Sequence, residues 1–312
     1  MKVIYGVGQV KEDAYHSVWA IGVYDGVHLG HQRLITKAVE RARMLEVKSA
    51  VMTFHPHPGN VLHPDHKIPY IVPFEYRLKL LEDLGVDICL VIRFTKRFSE
   101  LSTQKFMKTY LSTRLKPKEV YVGDDFRFGQ NREGTLNYFQ KNAAEYGFKV
   151  YGVKHLHARA NRRKISSSDI RRFIAQGDLL KTKRYLGRNY SVVGRVEQGQ
   201  GRGRLLGFPT ANISPKGQLL PPRGVYAVKV RVDKQFYFGM ANLGSCPTFN
   251  NDIKDVHLET YIFDYEQNIL HKEIIVEFIR KVRDEEKFND KEDLVNQIVN
   301  DERVIRKILD KK

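Results

Sequence analysis

The sequence predicts a doubly wound α/β domain over residues 1–186, followed by a small antiparallel β-barrel over residues 187–312 with a C-terminal helix. Three observations carry this. In the first part, short apolar runs alternate with stretches of helical periodicity, the pattern of a parallel sheet with crossover helices. In the second part, Val228, Val230 and Val232 alternate with Lys229 and Arg231, as in a half-buried antiparallel strand. From Asp290 onward, Leu294, Ile298, Ile305 and Ile308 fall near helical spacing, which predicts one amphipathic helix.

The apolar runs at 18–21, 50–54, 88–92, 120–122 and 150–153 predict the parallel strands. Between them, 32–45, 74–84, 103–115 and 136–146 have helical spacing. The basic run Lys181-Thr182-Lys183-Arg184 and then Gly187-Arg188-Asn189 break this pattern and set the boundary. Beyond it, 190–196, 225–232, 235–242, 257–263 and 274–280 read as short strands separated by turns, the mark of a small barrel. Asp290 is the expected N-cap of the last helix.

A chain of 312 residues has room for two cores. It is 42% hydrophobic without an apolar run long enough to span a bilayer, and its start lacks a signal pattern, so no membrane partner is expected. Cys89 and Cys246 lack the spacing of a zinc site or disulfide framework, and free thiols point to a reducing cytoplasm. The formal charge of +17 suits phosphate-bearing ligands, nucleic acid or an anionic surface, and equally a lysine-rich solvated surface. No RNA-recognition motif or patterned aromatic platform accompanies it, so a basic nucleic-acid-binding protein is the weaker alternative.

The organising stretch is Gly22-Val23-Tyr24-Asp25-Gly26-Val27-His28-Leu29-Gly30-His31. It runs from a strand through a glycine turn into a helix start, where unpaired N–H groups and the dipole suit phosphate. With a helix beginning near Val27, His28 and His31 face the same way. The same residues also suit a simple cap and turn.

Three further strings fall at strand ends. Thr53-Phe54-His55-Pro56-His57-Pro58 is a proline-fixed loop. Gly123-Asp124-Asp125-Phe126-Arg127-Phe128-Gly129 follows an apolar strand, and its Asp pair also fits turn chemistry. Ile165-Ser166-Ser167-Ser168-Asp169-Ile170-Arg171 resembles a helix N-cap, and the same helix start suits the outer phosphates of ATP, with Arg171 as a bidentate donor. In the second half, Gly199 to Asn212 contains Gly203-Arg204 and then Gly207-Phe208-Pro209-Thr210-Ala211-Asn212. No P-loop is present. Thr210 and Asn212 offer neutral oxygens to a hard cation.

These strings, in this order, resemble those of the prokaryotic bifunctional riboflavin kinase/FMN adenylyltransferase (FAD synthetase) family. The first also resembles the wider nucleotidylyltransferase signature, with Tyr24 where the family usually has Phe. The resemblance implies a nucleotidylyltransferase domain that binds ATP through Gly22, Tyr24, Asp25, Gly30, Ser166, Ser167 and Ser168. His28, His31 and Arg171 would stabilise charge on the phosphates of ATP during adenylyl transfer. Phe54, Pro56, His57, Asp125 and Phe128 would hold the flavin, and Arg283 would contact the flavin or a phosphate. In the barrel it implies Gly203, Arg204 and Gly207 around phosphates, Thr210 and Asn212 on Mg²⁺, and Glu259 as base. His55 stands where an acidic residue is common, Tyr261 where a His is usual, and Leu270-His271 where Tyr-Gly is usual.

The expected function is therefore phosphorylation of riboflavin by ATP to FMN, then adenylylation of FMN by a second ATP to FAD with release of pyrophosphate. A nucleotidylyltransferase with another acceptor is the nearer alternative. ATP, riboflavin and FMN are the expected partners.

Overall fold

The computed structural model describes residues 1–156, 164–199, 201–215, 217–245, 256–288 and 290–310. Cys246 lies outside them. The chain forms two compact units: Met1–Pro69 with Phe74–Ser167, and Tyr70–Pro73 with Ser168–Lys312.

The first unit is built on six parallel strands: β1 (Lys2–Tyr5), β2 (Val18–Ile21), β3 (Ser49–His55), β4 (Ile88–Arg93), β5 (Glu119–Gly123) and, after a two-strand hairpin of β6 (Arg127–Phe128) and β7 (Gly134–Thr135), β8 (Lys149–Val153). Their order is β1-β4-β3-β2-β5-β8. All four residues of β2 are buried, because both sheet faces are covered. Trp19 and Ile21 join the core with Met52, Leu90 and Val120. Val18 and Ala20 join the opposite core with Leu34, Ile35 and Val39 of helix α1 (Leu29–Met44). The order reverses around β2, which pairs with β3 on one side and β5 on the other. Ligands of such sheets bind beyond the strand ends at that reversal.

Two local expectations change. Helix α1 begins at Leu29, with His28 as its N-cap. The helix expected over 103–115 is present, but only Thr103–Lys105 is α-helical and Phe106–Leu115 is a π-helix, closed by Lys116 N–H donating to Leu111 O at 2.7 Å. Within it Phe106 and Tyr110 stack at 5.8 Å. Edge strand β1 carries little apolar signal in the sequence, since only Ile4 in it is buried.

The second unit is a closed antiparallel barrel of β9 (Tyr190–Glu197), β10 (Thr210–Ile213), β11 (Gly224–Val232), β12 (Gln235–Ser245), β13 (Val256–Ile262) and β14 (Glu273–Arg283). The closing order is β10-β13-β12-β11-β14-β9. Tyr190, Tyr226 and Phe278 are buried, and the Tyr226 and Phe278 rings meet edge-on at 5.0 Å. Strand β10 was not read because only four residues separate Pro209 from the next loop. The terminal helix, Lys291–Leu309, is capped by Asp290, whose carboxylate accepts from Asp293 N–H at 2.8 Å. Ile305 and Leu309 bury its apolar side with Val225, Ala227 and Met240. Tyr70 also belongs here: its N–H donates to Gly217 O and its carbonyl accepts from Leu219 N–H, both at 2.9 Å.

Candidate functional sites

The glycine turn after β2 is held in an unusual backbone. Tyr24, Gly26 and Val27 all have positive φ, at 56°, 78° and 40°. That conformation is costly for a β-branched residue such as Val27 and persists only where its surroundings enforce it. Buried Arg77 does part of this, donating to Val23 O at 3.0 Å and lying 4.0 Å from the Asp25 carboxylate. Thr53 Oγ1 donates to the same Val23 carbonyl at 2.9 Å. Gly22 is required because a Cβ there would fall 2.8 Å from the Tyr24 ring.

At the helix start, the His28 ring accepts from His31 N–H through Nδ1 at 3.3 Å. That bond places the neutral ring's proton on Nε2. The two imidazoles stack at 3.5 Å and 16°. Gly30 leaves room for them, since a Cβ would lie 3.1 Å from the His28 ring. His31 Nδ1 is buried and has no hydrogen-bond partner among the described residues. Ser167 Oγ donates to Asp25 O at 3.1 Å, so the Ser166–Ser167 segment reaches this turn. Ser168 and Arg171 continue along the helix Ser167–Ala175 and count with the second unit.

Burial holds the His31 imidazole well below its ordinary 6.5, with His28, Arg77, Lys164 and His155 adding to the effect. His31 is then neutral when folded, whereas the unfolded chain takes up its proton as pH falls through 6.5. Stability from this group is complete above that value and declines below it. The urea midpoint of the native chain will therefore fall more between about pH 7.5 and about pH 5.5 than that of His31→Gln. Equal falls would contradict a neutral His31.

The Tyr24 phenol is buried without a hydrogen-bond partner among the described residues. Burial, then the neighbouring Cys89, pushes its ionisation well up, so it stays a neutral and unsatisfied hydroxyl. Tyr24→Phe will raise stability by about 1 kcal/mol, read as a higher thermal midpoint. A lower midpoint would show that the hydroxyl is satisfied.

Along the same end of the sheet, Phe54 packs against Phe98 at 5.9 Å, Phe98 against Phe106 at 6.3 Å, and Phe106 against Phe128 at 5.5 Å. Two of the expected flavin contacts, Phe54 and Phe128, thus belong to one aromatic cluster. Pro56 follows a cis peptide from His55, whose ring stacks on Phe74 at 4.3 Å. His57 caps the short helix Pro58–Leu62, accepting from Gly59 N–H at 3.0 Å. Asp125 pairs with Lys164 and lies 2.9 Å from His155 Nε2. Burial raises its carboxyl, but the Lys164 hydrogen bond and the His155 and Lys164 charges outweigh that and leave it below its ordinary value.

In the barrel, register makes the site. Asn212 lies directly opposite Glu259, and Thr210 opposite Tyr261. Their neighbours Ala211, Ile213, Leu258 and Thr260 are buried, so the polar set shares the outer face. Gly199 and Gly203 form a cradle over it. A Cβ on Gly199 would fall 2.0 Å from Asn212 Nδ2, and one on Gly203 would fall 3.2 Å from Thr210 Oγ1. Gly207 takes a left-handed φ of 89°, while Arg204 is exposed on the turn Arg202–Leu205. Thr210 and Asn212 are hard, neutral oxygen donors, which suit Mg²⁺, and Glu259 stands beside them on the same face.

Arg283, the expected flavin or phosphate contact, also makes structural bonds. Its Nε and Nη2 donate to buried Asp301 of the terminal helix at 2.8–3.1 Å, and Nη1 donates to Asp284 O at 3.0 Å. Nε and Nη2 thus join β14 to that helix. The sequence reading also missed Arg77; a lone arginine on the apolar side of 74–84 was its only signal.

Residues 10–169 match the family model for FAD synthetase, and residues 186–309 match that for riboflavin kinase. The chain is 40% identical to the bifunctional riboflavin kinase/FMN adenylyltransferase of Listeria monocytogenes, across 98% of both chains. It is 34% identical to that of Escherichia coli, across 98% of this chain and 97% of the other. A crystal structure from Streptococcus pneumoniae, titled a macrolide-efflux protein, superposes with a TM-score of 0.87 at 31% identity, covering 98% of this chain and 99% of that one. Among the described residues no helix is long and apolar enough to cross a membrane. With both halves matched in order and full-length relatives at this identity, the chain belongs to the bifunctional riboflavin kinase/FMN adenylyltransferase family.

Proposed function

We propose that the barrel converts riboflavin to FMN and the α/β unit converts FMN to FAD, with the functional division at residues 186/187. The cross-strand pairing of Asn212 with Glu259 carries the first assignment. Glu259 accepts the proton of the ribityl 5′-hydroxyl as that oxygen attacks the γ-phosphorus of ATP. The bond to the β,γ-bridging oxygen breaks and ADP leaves. Thr210 and Asn212 would hold Mg²⁺, which when bound offsets charge on the ATP phosphates. Gly203 and Gly207 let the backbone approach those phosphates, and Arg204 adds charge at the rim.

The stacked His28 and His31 at the start of α1 support the second assignment. A phosphate oxygen of FMN attacks the α-phosphorus of ATP, and pyrophosphate leaves. That nucleophile is already ionised at neutral pH, so the step needs positioning and charge stabilisation more than a base. The Nε2–H of His28 and the helix N-terminus supply donors, while Gly22, Tyr24, Asp25 and Gly30 shape the turn. Ser166 and Ser167, which reach the turn, take the outer phosphates, and the cluster containing Phe54 and Phe128 backs the flavin.

Purified protein incubated with riboflavin, ATP and Mg²⁺ tests both, with the flavins separated by chromatography. FMN followed by FAD is expected. Unchanged riboflavin would remove the kinase assignment, and FMN that never becomes FAD would remove the other.

A further inference from the structure

The outer face of the barrel carries a polar row that the two-step reading does not use in full. Asn212 of β10 lies opposite Glu259 on one side and opposite Glu197 of β9 on the other. Glu259 in turn lies opposite Asn242 of β12. Directly opposite residues of an antiparallel pair project from the same face. Glu197, Asn212, Glu259 and Asn242 therefore form one row across four adjacent strands. The inward neighbours Val196, Ile213, Leu258 and Leu243 are all buried.

Asn212 thus stands between two carboxylates, one on each neighbouring strand. Strands lie about 4.8 Å apart, so Glu197 and Glu259 stand one strand to either side of Asn212, on backbones roughly 10 Å apart. Glu197 and Glu259 are exposed and make no hydrogen bond or ion pair among the described residues. Gly199, two residues beyond the end of β9, is the position whose missing Cβ makes room for the Asn212 amide.

The chemistry asks for this second carboxylate. Thr210 and Asn212 are neutral donors, whereas protein Mg²⁺ sites are usually anchored by one or two carboxylates together with substrate phosphates. A carboxylate bound to a dication is a poorer base, so one glutamate serves badly as both anchor and base.

We propose that Glu197 is the anionic ligand of the divalent cation held at Thr210 and Asn212, which leaves Glu259 to take the proton. The proposal rests on the reading of Thr210 and Asn212 as a cation site.

The test is Mn²⁺ binding to the full-length chain in the presence of ADP, followed by loss of the free-ion paramagnetic resonance signal. Thr210→Ala defines the part of the binding that belongs to the barrel. In Glu197→Gln that part will weaken tenfold or more, and the Mg²⁺ concentration giving half-maximal FMN formation will rise with it. Glu197→Asp will recover part of the loss. Glu197 is exposed, so the variants will fold, which far-ultraviolet circular dichroism checks. If Glu197→Gln binds Mn²⁺ as the native chain does while Thr210→Ala does not, Glu197 is no ligand and the proposal falls alone. If Thr210→Ala also binds normally, the underlying cation site falls and takes the proposal with it.

Discussion

In His28→Asn, FAD formation from FMN falls roughly 100- to 1,000-fold, while FMN formation from riboflavin continues at the native rate. The size follows from removing one preorganised donor aimed at developing charge, which costs roughly 2.7–4 kcal/mol in the transition state. Asparagine is chosen because His28 has a second task. Its Nδ1 caps α1 by accepting from His31 N–H, and losing such a cap costs about 1 kcal/mol of stability. An asparagine oxygen caps well but cannot place an imidazole N–H at the phosphate. His28→Ala loses both and will show a lower thermal midpoint in addition to the lost rate. If His28→Asn keeps full adenylyl transfer, the cap was the histidine's whole contribution. If a folded His28→Asn loses both activities, the two reactions do not have separate sites.

The alternation of apolar runs and helical stretches was enough for the parallel sheet, because β2, β3 and β4 are buried on both faces and read as continuous apolar strings. Edge strand β1 and the four-residue β10 lack that signature, and only long-range pairing reveals them. The histidine motif was legible as a string, but its geometry was not. The expected start near Val27 would put His28 inside the helix; in fact the left-handed Val27 delays the helix by two residues and turns His28 into a cap. The ring stacking survives because His28 and His31 remain three apart across the helix start. Arg77 and Glu197 were invisible for a common reason. Each matters through a partner far along the chain, Val23 for one and Asn212 for the other. Arg283 shows the converse: a motif-like position two of whose nitrogens bond a buried carboxylate 18 residues on, a structural bond that the string does not reveal.

Glu259→Gln is the matching experiment on the barrel. FMN formation will drop by roughly 10²- to 10⁴-fold, the usual worth of a positioned general base, and FAD formation from supplied FMN will not change. Glutamine keeps the length and hydrogen-bonding capacity of the side chain in the row between Asn212 and Asn242, so the fold and the flanking contacts remain. What it removes is the ability to accept a proton. Glu259→Asp separates reach from basicity: it retains the carboxylate but withdraws it by one methylene from a face where the strand fixes the Cα. Its rate will lie between those of the native chain and Glu259→Gln. A general base must sit within about 3.2 Å of the proton it takes, or act through one water, so a withdrawn carboxylate is penalised without being silenced. If glutamine and aspartate lose activity equally, Glu259 acts by its position rather than by its charge, and the hydroxyl proton leaves by another route. If glutamine retains the native rate, Glu259 is an ordinary exposed strand residue, and the base must be sought elsewhere on the barrel's outer face.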